Sequence, residues 1–182
     1  MSGMDIKEFR RLLDDALEED GFERRRLRPG EPKKSLPWVL PAPEVLPCFF
    51  RHPLRRPWGF QLSGCIGIEI PELSAWLREW RPEESPGIFH SAFVLWHIAN
   101  DDLLGGFGVI HGEPPPIRDW VARIKHRLSA VPPTLDELIR LYRSAPEHLG
   151  GLAAPSGKPA WDFLLRWHTD RDTAPPVPQR LF

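Results

Sequence analysis

The residues of this chain best suited to chemistry are histidines and carboxylates at or beyond the end of a long apolar run. The set comprises His97, Asp101, Asp102, His111 and Glu113. Imidazole nitrogens and carboxylate oxygens at the end of a strand and in a nearby loop can ligate a divalent cation, or they can pair as a general base and the group that orients it. The spacing matches no known metal motif, however, and aspartates that cap a turn beside ordinary histidines explain the same residues. The cluster therefore supports metal-assisted hydrolysis as one hypothesis and a purely structural role as its alternative.

Glycines in the same stretch invite a phosphate-binding interpretation, because exposed backbone amides next to a helix N-terminus bind anions. The run Gly105-Gly106-Phe107-Gly108 lacks the Gly-Lys-Ser/Thr ending of a P-loop and the Gly-x-Gly-x-x-Gly spacing of a dinucleotide fold. A hairpin or bulge turn explains these glycines without a ligand. We therefore expect no nucleotide and no other cofactor.

A second set of candidate residues is basic and aromatic, and it suits binding rather than catalysis. Nine lysines or arginines and three acidic residues lie between Phe22 and Trp58. Tryptophan and arginine are enriched at the energetic centres of protein interfaces. Trp38 and Trp58 are flanked by prolines in loop-like sequence, so we predict that both are exposed anchors; burial in the core is the alternative. The interface candidates are Trp38, Trp58, Arg24, Arg25, Arg26, Arg55 and Arg56.

The overall charge decides which partner such a surface would suit. Clustered arginines beside tryptophans can grip phosphates and stack bases. The chain carries 24 basic and 25 acidic residues and a formal net charge of −1, whereas a nucleic-acid-binding domain is typically basic. We therefore expect a protein partner and no nucleic acid. A further alternative is that the arginines pair with the acidic face of the first helix, since seven acids and three bases occupy the first twenty residues.

The composition indicates a globular domain with frequent prolines. A length of 182 residues is normal for one domain, and 41% hydrophobic with 27% charged residues is ordinary. The 22 prolines repeatedly separate short apolar segments. We predict one domain over residues 1–172 and a flexible tail over residues 173–182. No apolar run is long enough to cross a bilayer and no signal peptide is recognisable, so we expect a cytoplasmic monomer or homodimer without a membrane partner.

A helix opens the predicted fold. Apolar residues recur at three- and four-residue intervals, which places them on one helical face. They are Ile6, Phe9, Leu13, Ala16 and Leu17. Ser2 and Asp5 resemble a weak capping box, and Gly21 is placed to end the helix in a left-handed conformation, with Phe22 returning to the core.

Short apolar runs between Leu36 and Ile70 indicate strands. A turn-like run over residues 52–59 separates Cys48 from Cys65, and a hairpin there would bring the cysteines opposite each other. Reduced thiols are expected in a reducing cytosol, and a regulatory disulfide is the alternative. Neither cysteine has the spacing of a zinc or thioredoxin-like motif.

The second half of the chain predicts helices around one further strand. The apolar run over residues 88–99 is typical of a central strand covered on both faces. Four helical stripes are predicted: Leu73, Trp76, Leu77 and Trp80; Trp120, Val121, Ile124 and Leu128; Leu135, Leu138, Ile139 and Tyr142; and Trp161, Leu164, Leu165 and His168. Thr134 and Glu137 form a capping box at the start of the third.

Several of these features together resemble small bacterial α+β families classed as domains of unknown function. They are an acidic amphipathic helix ending Asp20-Gly21-Phe22, the basic segment Arg24-Arg25-Arg26, a strand that carries tryptophan, and an Ile66-Gly67-Ile68 strand leading into a helix. The resemblance implies a fold and a bacterial origin rather than an activity. By analogy with families of this general size, it implies partner binding, as in immunity proteins that act beside toxins.

We therefore predict a single α+β domain. Its mainly antiparallel sheet packs against an N-terminal amphipathic helix and a helical C-terminal half. The leading functional hypothesis is a non-catalytic protein-binding or immunity-like module. The alternative is the metal-assisted hydrolase, which requires the histidines and carboxylates of the first cluster to converge.

Overall fold

The fold is α+β, as predicted. The computed structural model describes residues 4–25, 36–57, 59–80, 94–97, 108–110, 114–153 and 158–169. In chain order, the elements of this part of the chain are α1 (Ile6–Glu19), β1 (Glu23–Arg24), β2 (Trp38–Val39), β3 (Leu46–Arg56), β4 (Gly59–Glu69), α2 (Pro71–Trp80), β5 (Val94–His97), β6 (Gly108–Ile110), α3 (Ile117–Leu128), α4 (Leu135–Ser144), a 3₁₀ segment (Pro146–Ala153) and α5 (Lys158–Thr169).

Helix α1 begins and ends through local signals. Asp5 is the N-cap, and its carboxylate accepts hydrogen bonds from the backbone N–H groups of Lys7 at 2.7 Å and Glu8 at 2.8 Å. Ser2, predicted to share this role, lies outside the described residues. At the other end Gly21 has a φ of +89° and Phe22 N–H donates to the Leu17 carbonyl at 3.0 Å. This is the predicted left-handed glycine stop, and Phe22 is buried behind it.

The sheet is built around the long hairpin of β3 and β4. These strands pair antiparallel from Leu46 opposite Glu69 to Arg56 opposite Gly59, which confirms the predicted hairpin. The described strands follow the order β1-β2-β3-β4-β5, and β6 pairs with β4 beyond β5. Every pairing is antiparallel.

The prediction of a central strand over residues 88–99 is not matched by the described part of the sheet. Its strand, Val94–His97, pairs with β4 and comes last in the strand order. The middle of the described sheet is the β3–β4 hairpin, because β2 pairs with β3 on one side and β5 and β6 pair with β4 on the other. An apolar run indicates burial, and burial by covering helices gives the same pattern as a central position in the sheet.

The two cysteines are offset across the hairpin rather than directly opposite. Cys48 pairs with Gly67 and Cys65 pairs with Phe50, a shift of two residues. Cys48 is a free, fully buried thiol. Burial raises its pKa well above the usual value, which keeps the thiol protonated.

The sheet has two unequal apolar faces, because alternate residues of a strand point to opposite sides. On one face Trp38, Phe49 and Ile66 align across β2, β3 and β4 and join the main core. The other face carries a smaller cluster that includes Val39 and Cys48. The apolar contacts of the main core hold α1 and the strands and helices packed against it in position.

Helices complete the main core, and most of the predicted stripes are confirmed. The fully buried members on α1, α3, α4 and α5 include Phe9, Leu13, Leu17, Ile124, Leu128, Leu138, Trp161 and Leu164. The ring of Phe9 meets Trp120 edge-on with centroids 6.0 Å apart, which docks α1 on α3. Phe163 and Trp167 are buried as well, so α5 is apolar on a wider face than predicted.

The start of α4 is capped from a distant part of the chain. Thr134 is its N-cap residue, but the Thr134 hydroxyl donates to the Glu137 carboxylate at 2.8 Å and makes no capping bond to the backbone. The N–H of Leu135 instead donates to the Glu44 carboxylate at 2.8 Å. Thr134 is at the predicted N-cap position, but the prediction that its side chain caps the backbone of α4 is wrong, because Glu44 accepts the hydrogen bond instead. Glu44 satisfies the helix start and ties α4 to the loop before β3.

We expect Glu44→Ala to lower the free energy of unfolding by about 1 kcal/mol, the usual cost of losing a helix cap. Glu44→Gln keeps an oxygen that accepts the same hydrogen bond, so it should retain most of the stability. Chemical denaturation of both variants measures the difference. Glu147→Ala removes an exposed carboxylate elsewhere and is the matched control; equal losses in Glu44→Ala and Glu147→Ala would contradict the capping role.

Candidate functional site

The structure describes some of the predicted candidate residues in full, some only by their position in a strand, and some not at all. Arg24, Arg25 and Trp38 are described in full, whereas for Arg55, Arg56 and His97 only the strand position is described. Trp58, Arg26, Asp101, Asp102, His111 and Glu113 lie outside the described residues. The arrangement of the candidates can therefore be judged around β1, β2 and the strands that flank them.

Trp38 is buried, so the prediction that it is an exposed anchor is wrong. Its exposed fraction is 0%, because β1 and β3 flank its two-residue strand and the ring faces the helices with Phe49. The Arg24 guanidinium lies 4.7 Å from the centroid of the indole ring, in cation–π contact. The prolines near Trp38 indicated a loop. The structure supports the alternative, which is that Trp38 is a core residue.

Two arginines converge on one carboxylate of α1 beside Trp38. Arg51 Nε lies 2.9 Å from Asp14 Oδ1, and Arg51 Nη2 donates to Asp14 Oδ2 at 3.1 Å. Arg24 Nη2 donates to the same Oδ2. Arg51 reaches α1 without a cross-strand side chain beside it, because its partner on β4 is Gly64. A methyl group at Gly64 would collide with the Phe50 carbonyl oxygen.

The Asp14 pair is mostly removed from solvent. The side chains of Asp14 and Arg51 are 18% and 11% exposed. Burial raises the pKa of Asp14, and the charges of Arg51 and Arg24 oppose that rise. Burial likewise lowers the pKa of Arg51, against the attraction of Asp14. The expectation that the arginines pair with the acidic face of the first helix thus holds for Arg24 and Arg51, and the resulting network fixes α1 on the sheet.

An open groove of about 770 Å³ runs along α1 next to this network. It is lined by Lys7, Arg10, Arg11, Asp14, Asp15, Glu18, Arg24, Leu36 and Arg51, which are five cationic residues, three acidic ones and one leucine. Arg11 pairs with Asp15 at 2.8 Å. Lys7 and Arg10 are exposed, and no described residue forms an ion pair with either. We call this surface the basic groove.

Sequence reasoning identified Arg24 but missed the other residues that make the groove basic. Lys7 is assigned to the polar face of the first helix, and Arg51 is counted among the nine basic residues between Phe22 and Trp58 without being singled out as an interface candidate. Their spacing did contain a signal, since Lys7, Arg10 and Asp14 are three and four residues apart and so share one side of a helix. Arg25, a predicted candidate, is exposed, and its backbone N–H donates to the Pro37 carbonyl at 3.2 Å.

A second groove, of about 520 Å³, borders the other flank of α1, shares Asp15 with the basic groove and has more acidic than basic residues. Three acids, Asp15, Glu19 and Asp119, and one arginine, Arg118, line it together with apolar residues and the prolines 114–116. Arg118 donates to Glu19 at 2.9 Å and so closes part of it. Helix α1 therefore borders both the basic groove and a groove in which acidic residues outnumber basic ones.

Of the five residues in the metal hypothesis, only His97 lies in the described part of the chain, so the convergence of the cluster stays a prediction. His97 lies opposite Cys65, and Ile110 lies opposite Gly59, so six residues of β4 separate the two positions. At about 3.3 Å per residue, that separation is roughly 20 Å. Within the described ranges there is no group of three or more histidine, cysteine or carboxylate residues that could hold a metal ion.

Comparisons with protein-family models, with curated proteins and with solved structures find no match for this chain. In the part of the chain that the structure describes, no helix is long and apolar enough to cross a membrane. The class of protein that the structure defines is therefore an α+β domain with a charged groove on each side of its first helix.

Because burial raises the folded-state pKa of Asp14, the folded protein binds that proton more tightly than the unfolded chain. The pH-dependent part of the stabilisation from this group is complete below its unfolded pKa of about 4 and is lost as the pH rises through the folded value. We expect the free energy of unfolding of the wild type, minus that of Asp14→Asn, to fall as the pH is raised from about 3 toward neutrality. Denaturant titrations across this range measure the difference.

Asp5→Asn is the matched control of opposite sign. The backbone N–H of Glu8 lowers the pKa of Asp5, so stability from Asp5 is present above its unfolded pKa and is lost as the pH falls. The free energy of unfolding of the wild type, minus that of Asp5→Asn, should therefore rise with pH. If Asp14→Asn shows the same rising profile as Asp5→Asn, the two arginines outweigh burial and the account of Asp14 is wrong.

Proposed function

We propose that this protein is a non-catalytic protein-binding module and that the basic groove is part of its partner-binding surface. The observation that carries the proposal is the pair Lys7 and Arg10. Both are exposed and have no ion-pair partner among the described residues, in a groove whose other arginines are already fixed in place. A partner with acidic side chains would supply the missing counter-charges.

The fixed arginines favour binding over a merely solvated surface. Arg51 is held by two contacts to Asp14, and Arg24 is held by Asp14 and by the ring of Trp38. A guanidinium that is already immobilised loses little conformational entropy when a partner binds. Trp38 thus contributes from the core, as the platform under Arg24, rather than as the exposed anchor that the sequence suggested.

The distribution of charge supports a protein partner rather than a nucleic acid. The basic groove itself contains Asp14, Asp15 and Glu18, and three of the four charged residues that line the second groove are acidic. A phosphate backbone would be repelled by much of this surface, whereas a protein can match a short basic patch with a short acidic one. An immunity protein that neutralises a toxin by binding is one form of such a module.

Charge reversal on α1 tests the proposal. We expect Lys7→Glu combined with Arg10→Glu to weaken partner binding at least tenfold, because two attractive pairs become repulsive ones. The measurement is a comparison of proteins retained by immobilised wild type and variant from extracts of the organism that encodes the chain, followed by affinity measurement with the purified partner.

Arg140→Glu combined with Arg143→Glu is the matched control. These two residues are exposed on α4 at the same three-residue spacing, so the control changes the net charge equally. A partner retained equally by both double variants would place the binding surface elsewhere. Turnover of a substrate by the purified protein would contradict the non-catalytic assignment.

A further inference from the structure

The basic groove has the length of a short extended peptide. Its α1 side runs from Lys7 to Glu18. At 1.5 Å per residue of helix, these residues span about 16 Å, which equals roughly five residues of extended chain. The opposite wall is formed by Leu36 and by the arginines of β1 and β3.

Charge is unevenly placed along this length. Lys7, Arg10 and Arg11 lie toward the start of α1, and Glu18 lies toward its end. Between them Asp14 meets two guanidiniums, so the centre of the groove keeps one positive charge in excess. A bound segment would therefore place its acids over the centre and over the start of the helix.

The centre of the groove already shows which chemical group it accepts. The Asp14 carboxylate takes two contacts from Arg51 and one from Arg24, an arrangement in which planar guanidiniums match the geometry of a carboxylate. Asp14 is thus a carboxylate of the chain itself, and it uses the same guanidinium donors that a carboxylate of a bound segment would use.

A single small anion is a poorer fit to this groove. Arg24 and Arg51 converge on Asp14, which already occupies them, and the other cations are spread along α1. The backbone N–H groups of Lys7 and Glu8 at the helix start are bonded to Asp5. The helix N-terminus is therefore not an open anion site. A chain that carries several carboxylates at intervals can satisfy the cations together.

We infer that the basic groove binds an extended acidic segment of the partner protein, with its carboxylates on Lys7, Arg10 and the Arg24–Arg51 pair. This inference rests on the proposed function and adds the chemical class and conformation of the bound segment. Asp14 competes for the same two arginines. The affinity of the groove for the acidic segment is therefore lower than it would be if both arginines were free of Asp14.

Binding of a defined peptide tests the inference. The probe is hexaglutamate with blocked ends, titrated into ¹⁵N-labelled protein at low salt, with hexalysine and inorganic phosphate as comparison probes. We expect hexaglutamate to shift the amide signals of α1 around Lys7 and Arg10 and the Nε–H signals of Arg24 and Arg51. Hexalysine should leave them unchanged, and phosphate should shift them only at much higher concentration.

The variants separate the parts of the site. Lys7→Glu with Arg10→Glu should weaken hexaglutamate binding at least tenfold, and Arg140→Glu with Arg143→Glu should change it less than twofold. Asp14→Asn removes the internal competitor and should strengthen peptide binding several-fold in protein that a thermal melt shows to be folded. Unchanged or weaker binding to folded Asp14→Asn would overturn the assignment of the arginine pair.

Other outcomes distinguish this inference from the proposed function. Equal shifts from phosphate and hexaglutamate at the same concentration would overturn the acidic-segment assignment in favour of a small-anion site. Absence of hexaglutamate binding, with a protein partner still lost in the α1 double variant, would overturn the inference and leave the proposed function standing. Failure of both experiments would overturn both.

Discussion

The contact of Asp14 with Arg51 is the interaction on which the arrangement around α1 depends. It joins a helix to the middle of a sheet through two charged groups that are both mostly buried, beside an apolar core that holds Phe9, Leu13 and Leu17. Removing either partner would leave the other charge in a site with little access to water, which costs far more than the pair itself contributes. The apolar face of α1 determines that the helix packs on the sheet, and Asp14 restricts where along β3 it sits.

The residues that position α1 on β3 are also residues of the basic groove, so substitutions there change both the stability of the fold and the binding surface. Arg24 and Arg51 stabilise the packing of α1 and also form part of the wall of the basic groove. Trp38 has a similar double position, since it fills the core and supports Arg24 from below. A surface built from such residues is rigid, and its binding preferences are tied to the stability of the fold.

The sequence was most informative where the signals are local. The extent of α1 followed from apolar spacing and from Gly21, because the helix stop is made within six residues. Prediction failed where a distant segment determines the local structure. Glu44 caps a helix 91 residues away, and Trp38, which follows Pro37 in the sequence, is buried in a strand between β1 and β3. The basic groove was missed for the same reason, since Arg51 and Lys7 become neighbours of one surface only when α1 lies on β3. The hydrolase hypothesis has all of its residues except His97 outside the described part of the chain, so it stays a prediction.

The opposite charges of the two grooves beside α1 have a kinetic consequence. A net charge of −1 makes the protein nearly neutral as a whole, yet α1 borders one groove with an excess of basic residues and another with an excess of acidic residues. The domain therefore carries an electric dipole across α1, and at physiological ionic strength, where the screening length is about 8 Å, that dipole acts only in the last moments of an approach. An acidic partner would be rotated into the correct orientation at close range rather than attracted from afar, so the association rate would respond to salt less steeply than that of a strongly charged protein.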